Sequence, residues 1–301
     1  MVSRADNAGR DLRISFEFFP PKSEEMEAQL WETVAALAEW SPRFVTVTYG
    51  AGGSTKAPTL AAVSRLTADT GLKTAAHLTC VDASRDEVRA VVEEYRAAGV
   101  RRIVALRGDP AAGIGAAYVP HPQGFSDTAD LVGMLAAYGD FDVSVSAYPE
   151  KHPESPDFAA DIATLKRKAD AGAARALTQF FFDNDDYERY VERARAAGVS
   201  IPILPGIMPI QNLTQLKRFA RRCGASVPAF LDDRFEGLDD KPEERAEVAA
   251  DVAAEQIEDL VRRGLGGDIH LYTMNRAPLV SAVLERLGLS RRSDRQPGAA
   301  A

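Results

Sequence analysis

The chain has little cysteine. Its 301 residues hold two, Cys80 and Cys223. Neither these nor the four histidines, His77, His121, His152 and His270, fall at the spacing of a metal site. So few thiols leave no disulfide framework, and a reducing cytoplasm is the compartment that fits. No run of lysine and arginine occurs and the formal net charge is −8, which argues against nucleic acid as a partner. No stretch approaches the roughly 20 apolar residues a membrane helix needs. Met1 to Arg10 has no apolar core of a signal peptide. Absent too are a P-loop, a Ser-His-Asp set, and a G-x-G-x-x-G after the first strand. That last absence argues against an open, doubly wound dinucleotide-binding sheet.

What is present is a globular composition, 46% hydrophobic and 27% charged, in a length that suits one large α/β barrel or two smaller domains. The opening stretch Ile14-Ser15-Phe16-Glu17-Phe18-Phe19-Pro20-Pro21 reads as a strand stopped by the double proline, which cannot donate to a ladder and bars helix before it. Alternation puts Ile14, Phe16 and Phe18 on one face and Ser15, Glu17 and Phe19 on the other. A carboxylate on that second face, at the strand's exit, is either a structural ion pair or a catalytic acid at the mouth of a barrel. Further strands, about 43–49, 73–80, 100–108, 142–148, 175–182, 201–207 and 268–273, alternate with helical patterns. Eight such alternations with no composition break predict a single (β/α)8 TIM barrel over residues 12–289. Residues 1–11 and 290–301 read as disordered ends. The stretch 109–126, rich in Gly, Ala and Pro, reads as a long functional or disordered loop.

Polar residues gather at the strand ends, where barrels of this kind keep their chemistry. They are Glu17, Thr48 and Tyr49, His77 and Thr79, Arg107 and Asp109, Ser146 and Tyr148 with His152 beyond, Gln179, and Tyr272 followed by Asn275 and Arg276. Each has a blander reading. His77 suits a satisfied core position. Arg107 and Asp109 can pair with each other. Gly50 to Gly53 is as often a tight turn as a phosphate cradle. Gln179, in an apolar strand, needs partners or costs about 1–3 kcal/mol.

Taken in order, several stretches resemble the methylenetetrahydrofolate reductases over about 14–289. They are Ser15 to Pro21, Val47-Thr48-Tyr49-Gly50, His77-Leu78-Thr79-Cys80, Ala105-Leu106-Arg107-Gly108-Asp109, Ala147-Tyr148-Pro149-Glu150 with His152-Pro153-Glu154, Thr178-Gln179-Phe180-Phe181-Phe182-Asp183, and Tyr272-Thr273-Met274-Asn275-Arg276. Length and order agree with the short bacterial form. The resemblance implies FAD as cofactor, reduced by NAD(P)H. That nucleotide then leaves and is replaced in the same site by 5,10-methylenetetrahydrofolate, which becomes 5-methyltetrahydrofolate for methionine synthesis. By position it implies that Glu17 is the acid acting on the folate N-10, and that Asp109 is a carboxylate beside the flavin. Gln179 would bind the pterin, Phe219 would stack on the substrate, and Tyr272 and Arg276 would be substrate-side residues. Thr48, Tyr49, His77, Arg107, Gly108, Asp109, Ala147, Tyr148, His152, Asp161 and Lys168 match cofactor contacts. The resemblance also implies a homo-oligomer, and neither membrane nor metal.

One position departs from the family. Its Phe-x-Tyr-Ala-x-Asp-Leu-Val is here Phe125-Ser126-Asp127-Thr128-Ala129-Asp130-Leu131-Val132, so Asp127 stands where a tyrosine lies against FAD. The acid role makes a physical demand as well. A glutamate of ordinary pKa is only about 0.2% protonated at pH 7, so burial must raise Glu17, whereas an ion pair lowers it. Two other classes stay open. One is a (β/α)8 lyase or aldolase with Glu17 as base. The other is a barrel that binds folate or flavin without turnover.

Overall fold

The computed structural model describes residues 12–50, 56–110 and 118–294. The ends read as disordered therefore lie outside it for 1–11 and 295–301, as do parts of the two loops, 51–55 and 111–117. Strand β1 (Arg13–Phe18) follows the alternation in the sequence. Phe16 and Phe18 are buried against the surrounding helices, each contributing about 2 kcal/mol or more. Ser15 and Glu17 face the barrel interior. A one-residue slip exchanges the two faces, so the aromatics fix the register that points Glu17 inward.

β1 pairs in parallel with β2 (Val45–Val47) on one side and β9 (Asp268–Tyr272) on the other. From β2 the sheet continues through β3 (Thr74–Thr79), β4 (Arg102–Leu106), β5 (Asp142–Ala147) and β6 (Arg175–Thr178) to β7 (Ile203–Leu204). β8 (Gly206–Ile207) pairs with β9. β7 and β8 are one stave interrupted at Pro205, which has no N–H to give a ladder. Its carbonyl still accepts from His270 N at 3.0 Å. Through this stave the strand order returns to its start, and the nine segments make the eight-stave barrel expected from the sequence.

Helices α1 (Glu24–Ala38), α2 (Lys56–Asp69), α3 (Arg85–Ala97), α4 (Thr128–Ala136), α5 (Phe158–Asp170) and α6 (Asn184–Ala196) follow the strands in turn. Local chemistry places their starts. Ser23 caps α1, Ser84 and Glu87 form the capping box expected for α3, and Asp127, Asp157 and Asp183 cap α4, α5 and α6. Each such cap contributes about 1 kcal/mol. After β8 the chain adds α7 (Leu213–Cys223) and α8 (Phe230–Phe235) before the long α9 (Pro242–Arg262). Leu216 and Ala220 of α7 and Leu231 and Phe235 of α8 pack with Phe180, Phe182, Met208 and Ile210 in a cluster of their own. That cluster sets α7 at the mouth of the barrel. Helix α10 (Ala277–Arg286) closes the fold. Beyond it a 3-10 turn at Arg292–Asp294 is tied back by Arg292 N donating to Glu39 O at 2.6 Å. No helix among the described residues is long and apolar enough to cross a membrane.

Candidate active site

Glu17, Thr48, Tyr49, His77, Tyr148, Gln179, Phe219 and Tyr272 line one cavity of about 250 Å3 at the C-terminal mouth. Strand parity brings Glu17, Thr48, His77, Tyr148, Gln179 and Tyr272 there, since interior positions recur every second residue on neighbouring staves, while Phe219 comes from α7. Glu17 is 7% exposed and sits among three donors. Thr46 Oγ1 donates to its Oε2 at 3.3 Å, His77 Nε2 lies 3.2 Å from the same oxygen and His270 Nε2 3.5 Å. Ser15 Oγ holds His270 Nδ1 at 2.8 Å. Both Nε2 atoms are buried, and among the described residues neither completes a hydrogen bond beyond these contacts with Oε2.

Burial is the strongest single influence on Glu17 and acts upward. The His77 charge, the contacts of both imidazoles and the His270 charge together outweigh it and hold the carboxyl at about 2. The sequence reading required a raised pKa, and the structure reverses the sign. Glu17 is not a lone buried carboxyl but the anion between two imidazoles, the shift expected of an ion pair.

A second cavity of about 430 Å3 adjoins the first, sharing Leu106, Ser146 and Tyr148. It gathers Arg107, Gly108, Asp109, Ala147, His152, Asp161 and Lys168 from the ends of β4 and β5 and from α5. Lys168 is 5% exposed, and its Nζ donates to Ser146 O at 2.7 Å. No carboxylate forms an ion pair with it among the described residues. Burial pulls this ammonium down to about 8 against the opposing attraction of Asp161. Asp161 itself accepts from His152 N at 3.0 Å and Ser155 Oγ at 2.9 Å, which fixes the loop that carries His152. Arg107 does not pair with Asp109. It makes two bonds to Glu154, at 2.5 and 2.7 Å. Gly108 has φ +86°, and a Cβ there would lie 2.6 Å from Val81 Cγ1, so only glycine brings the backbone to this wall.

The loop after β9 separates one expected residue from the rest. Asn275, at φ 53°, accepts from Phe19 N and donates to Phe19 O, both at 2.9 Å. This clamps the turn after β1. It also turns the chain so that Arg276 lines an outer groove with Gln29, Gln215 and Arg245, and not the mouth. Tyr272 does reach the mouth, its hydroxyl donating to Thr178 O at 2.6 Å. A Cβ on Gly206 would lie 2.7 Å from the Tyr272 ring, so glycine at 206 makes that approach possible. Phe219 is 44% exposed and stacks on Phe180, centroids 5.4 Å apart. The sequence reading did not assign Ser15, His270, Glu154 or Tyr118. A signal existed for His270, which lies two residues before Tyr272 and therefore on the same face.

Fold and site together define a (β/α)8-barrel enzyme with a carboxylate–imidazole cluster at its mouth. A sequence model of methylenetetrahydrofolate reductase matches residues 3–288. The 5,10-methylenetetrahydrofolate reductase of Salmonella typhimurium is 45% identical over 278 residues, 92% of this chain and 91% of that one. The Pectobacterium carotovorum enzyme is 44% identical over 289 residues, 95% and 93%. Methylenetetrahydrofolate reductase (NADH) 1 of Arabidopsis thaliana is 36% identical over 92% of this chain and 48% of its own length. The chain belongs to the methylenetetrahydrofolate reductase family, and is an oxidoreductase of that kind. Among solved structures, a Clostridium thermocellum protein that binds two copies of 5-methyl-5,6,7,8-tetrahydrofolic acid shares the fold, with TM-score 0.59 and 14% identity over 94% of this chain and 96% of that one.

Proposed function

We propose that the protein reduces 5,10-methylenetetrahydrofolate to 5-methyltetrahydrofolate through a resident FAD, which NAD(P)H reduces in the same mouth before folate enters, in support of methionine synthesis in the cytoplasm. The observation that carries the cofactor reading is Lys168, a buried ammonium that forms no carboxylate ion pair among the described residues and faces a cavity of about 430 Å3. An anionic diphosphate supplies what it lacks. Lys168 and His152 would hold the diphosphate, the Gly108 backbone would allow close approach, and Thr48, His77 and Tyr148 would line the flavin side. When bound, FAD takes up a hydride from one substrate and gives it to the other.

The chain's own part is to position and to move a proton. Gln179 and Phe219 face the mouth as amide and aromatic for the pterin. Glu17 Oε2 lies against two imidazole nitrogens at the mouth, and Glu17 delivers the proton destined for the folate N-10. Burial already pushes Glu17 upward, and the opposing pull depends on imidazole charge. A planar ligand over the mouth strengthens that burial, which favours a proton on Oε2.

The test is spectroscopic. Purified protein loaded with FAD is expected to absorb near 450 nm, to bleach anaerobically with NADH or NADPH, and to regain colour on adding methylenetetrahydrofolate. Protein that takes up no flavin, or that bleaches and never recovers with the folate, sinks the reading.

A further inference from the structure

The described part of the loop between β4 and α4 lines the second cavity with Tyr118 and with Asp127 at the start of α4. Asp127 is already committed. It accepts from Asp130 N at 3.0 Å as the cap of α4 and pairs with Arg167 at 3.2 Å. A carboxylate held in this way offers a planar ligand nothing to stack on. Tyr118 is placed differently. The Arg107 guanidinium lies over its ring, 4.7 Å from the centroid, and Glu154 fixes that guanidinium from the far side with its two bonds. The Tyr118 hydroxyl makes a long bond to Phe125 O, 3.4 Å, and contacts the Cys80 thiol. The cavity's other tyrosines are placed differently. Tyr190 is fully buried, and Tyr148 meets the His152 ring edge-on at 4.6 Å.

We propose that Tyr118, braced by the Arg107–Glu154 pair, is the aromatic wall against which this protein seats a planar ring of its flavin dinucleotide, a contact that position 127 does not supply. The proposal rests on reading the cavity as the FAD site. Arg107, neutralised by Glu154, then supports the ring, and the phosphates fall to Lys168. Selection follows from shape: a half-buried ring beside a neutralised cation favours a flat heterocycle over a charged group.

The experiment titrates FAD into apoprotein and follows the flavin's own fluorescence. Tyr118→Ala is expected to weaken FAD by about 10-fold, the scale of one lost aromatic contact. Tyr118→Phe is expected to stay within about twofold of the unmodified protein, because the ring and not the hydroxyl makes the contact. If the alanine variant does not fold, Tyr118→Leu keeps apolar bulk in the loop and is expected to show the same loss. An alanine or leucine variant with unchanged affinity overturns the proposal. So does a phenylalanine variant as weak as the alanine one, since that assigns the effect to the hydroxyl's hold on the loop. Unmodified protein that binds no FAD overturns the cofactor reading itself, a different result from a loss confined to the variants.

Discussion

The two ends of the barrel handle charge in opposite ways. At the floor, where the strands begin, each carboxylate takes two arginines. Asp268 binds Arg13 at 2.6 Å and Arg43 at 2.7 Å, and Asp142 binds Arg102 and Arg175, both at 2.5 Å. Above them Phe44, Ala75, Val104, Leu177 and Leu204 fill the interior. At the mouth one carboxylate faces two buried imidazoles, an ammonium is buried with no carboxylate ion pair among the described residues, and Met274 and Asn275 hold positive φ of 51° and 53°. Such backbone conformations cost on the order of 1 kcal/mol each for residues other than glycine. The difference teaches where stability ends and function begins: the floor satisfies its charges internally, and the mouth leaves its groups for a ligand to complete.

The largest effect is expected at the mouth. Glu17→Gln keeps the shape of the cluster and removes its anion. Folate reduction is expected to fall by about 10²-fold or more, with reduction of the flavin by NAD(P)H retained. Stopped-flow measurement of the two half-reactions separates them, and normal folate turnover in the variant refutes the role. The same change alters acid stability. A carboxyl held at about 2 contributes stability that is present above its unfolded value near 4.5 and is lost as pH falls toward 2. The unmodified protein is expected to lose up to about 3 kcal/mol over that window, and the glutamine variant to lack the slope.

The floor should respond in stability alone. Asp142→Ala leaves Arg102 and Arg175 close together with no carboxylate between them. Breaking a fully buried pair costs about 3–5 kcal/mol. Side-chain exposures of 24% for Arg102 and 27% for Asp142 admit screening water, so about 2–3 kcal/mol is expected here. Denaturant unfolding measures it, while FAD affinity should be unchanged. A variant that loses stability and cofactor together would show that floor and mouth are coupled, and the contrast would fail.

Much of this contrast can be read from sequence, for a physical reason. Period-two alternation and the Pro20-Pro21 stop place Glu17 on the interior face without any tertiary information. The same parity brings Thr48, His77, Gln179 and Tyr272 to one mouth. What stayed hidden depends on registers between distant strands. Glu17 lies beside Tyr272 and above His270 only because β1 pairs with β9. His270 from that pairing and, more strongly, His77 from β3 reversed the expected sign of its pKa. The partner of Arg107 comes from a loop on the next stave, which the sequence, offering Asp109 as one possible partner, does not show. Arg276 was drawn away by the positive φ of Asn275, which residue type permits but does not require. Helix α7 reads as one more barrel helix, and its place at the mouth follows from packing on Phe180 and Phe182.

The effect that separates the two ends most sharply, and the smallest on activity, is at Lys168. Burial holds its folded pKa near 8, below the unfolded value of about 10.4. Between those values the unfolded chain carries a proton that the folded one lacks, so stability should rise with pH across the window, by up to about 3 kcal/mol. Lys168→Met keeps the length of the side chain and removes the charge. Its unfolding free energy at pH 7 should equal or exceed that of the unmodified protein, and the rise above pH 8 should vanish. FAD affinity should fall by about 10-fold as one charge-assisted contact is lost. The opposite pair of results, lower stability at pH 7 with unchanged FAD affinity, would make Lys168 a structural charge like those of the floor. It would also remove the observation on which the cofactor reading of the second cavity stands.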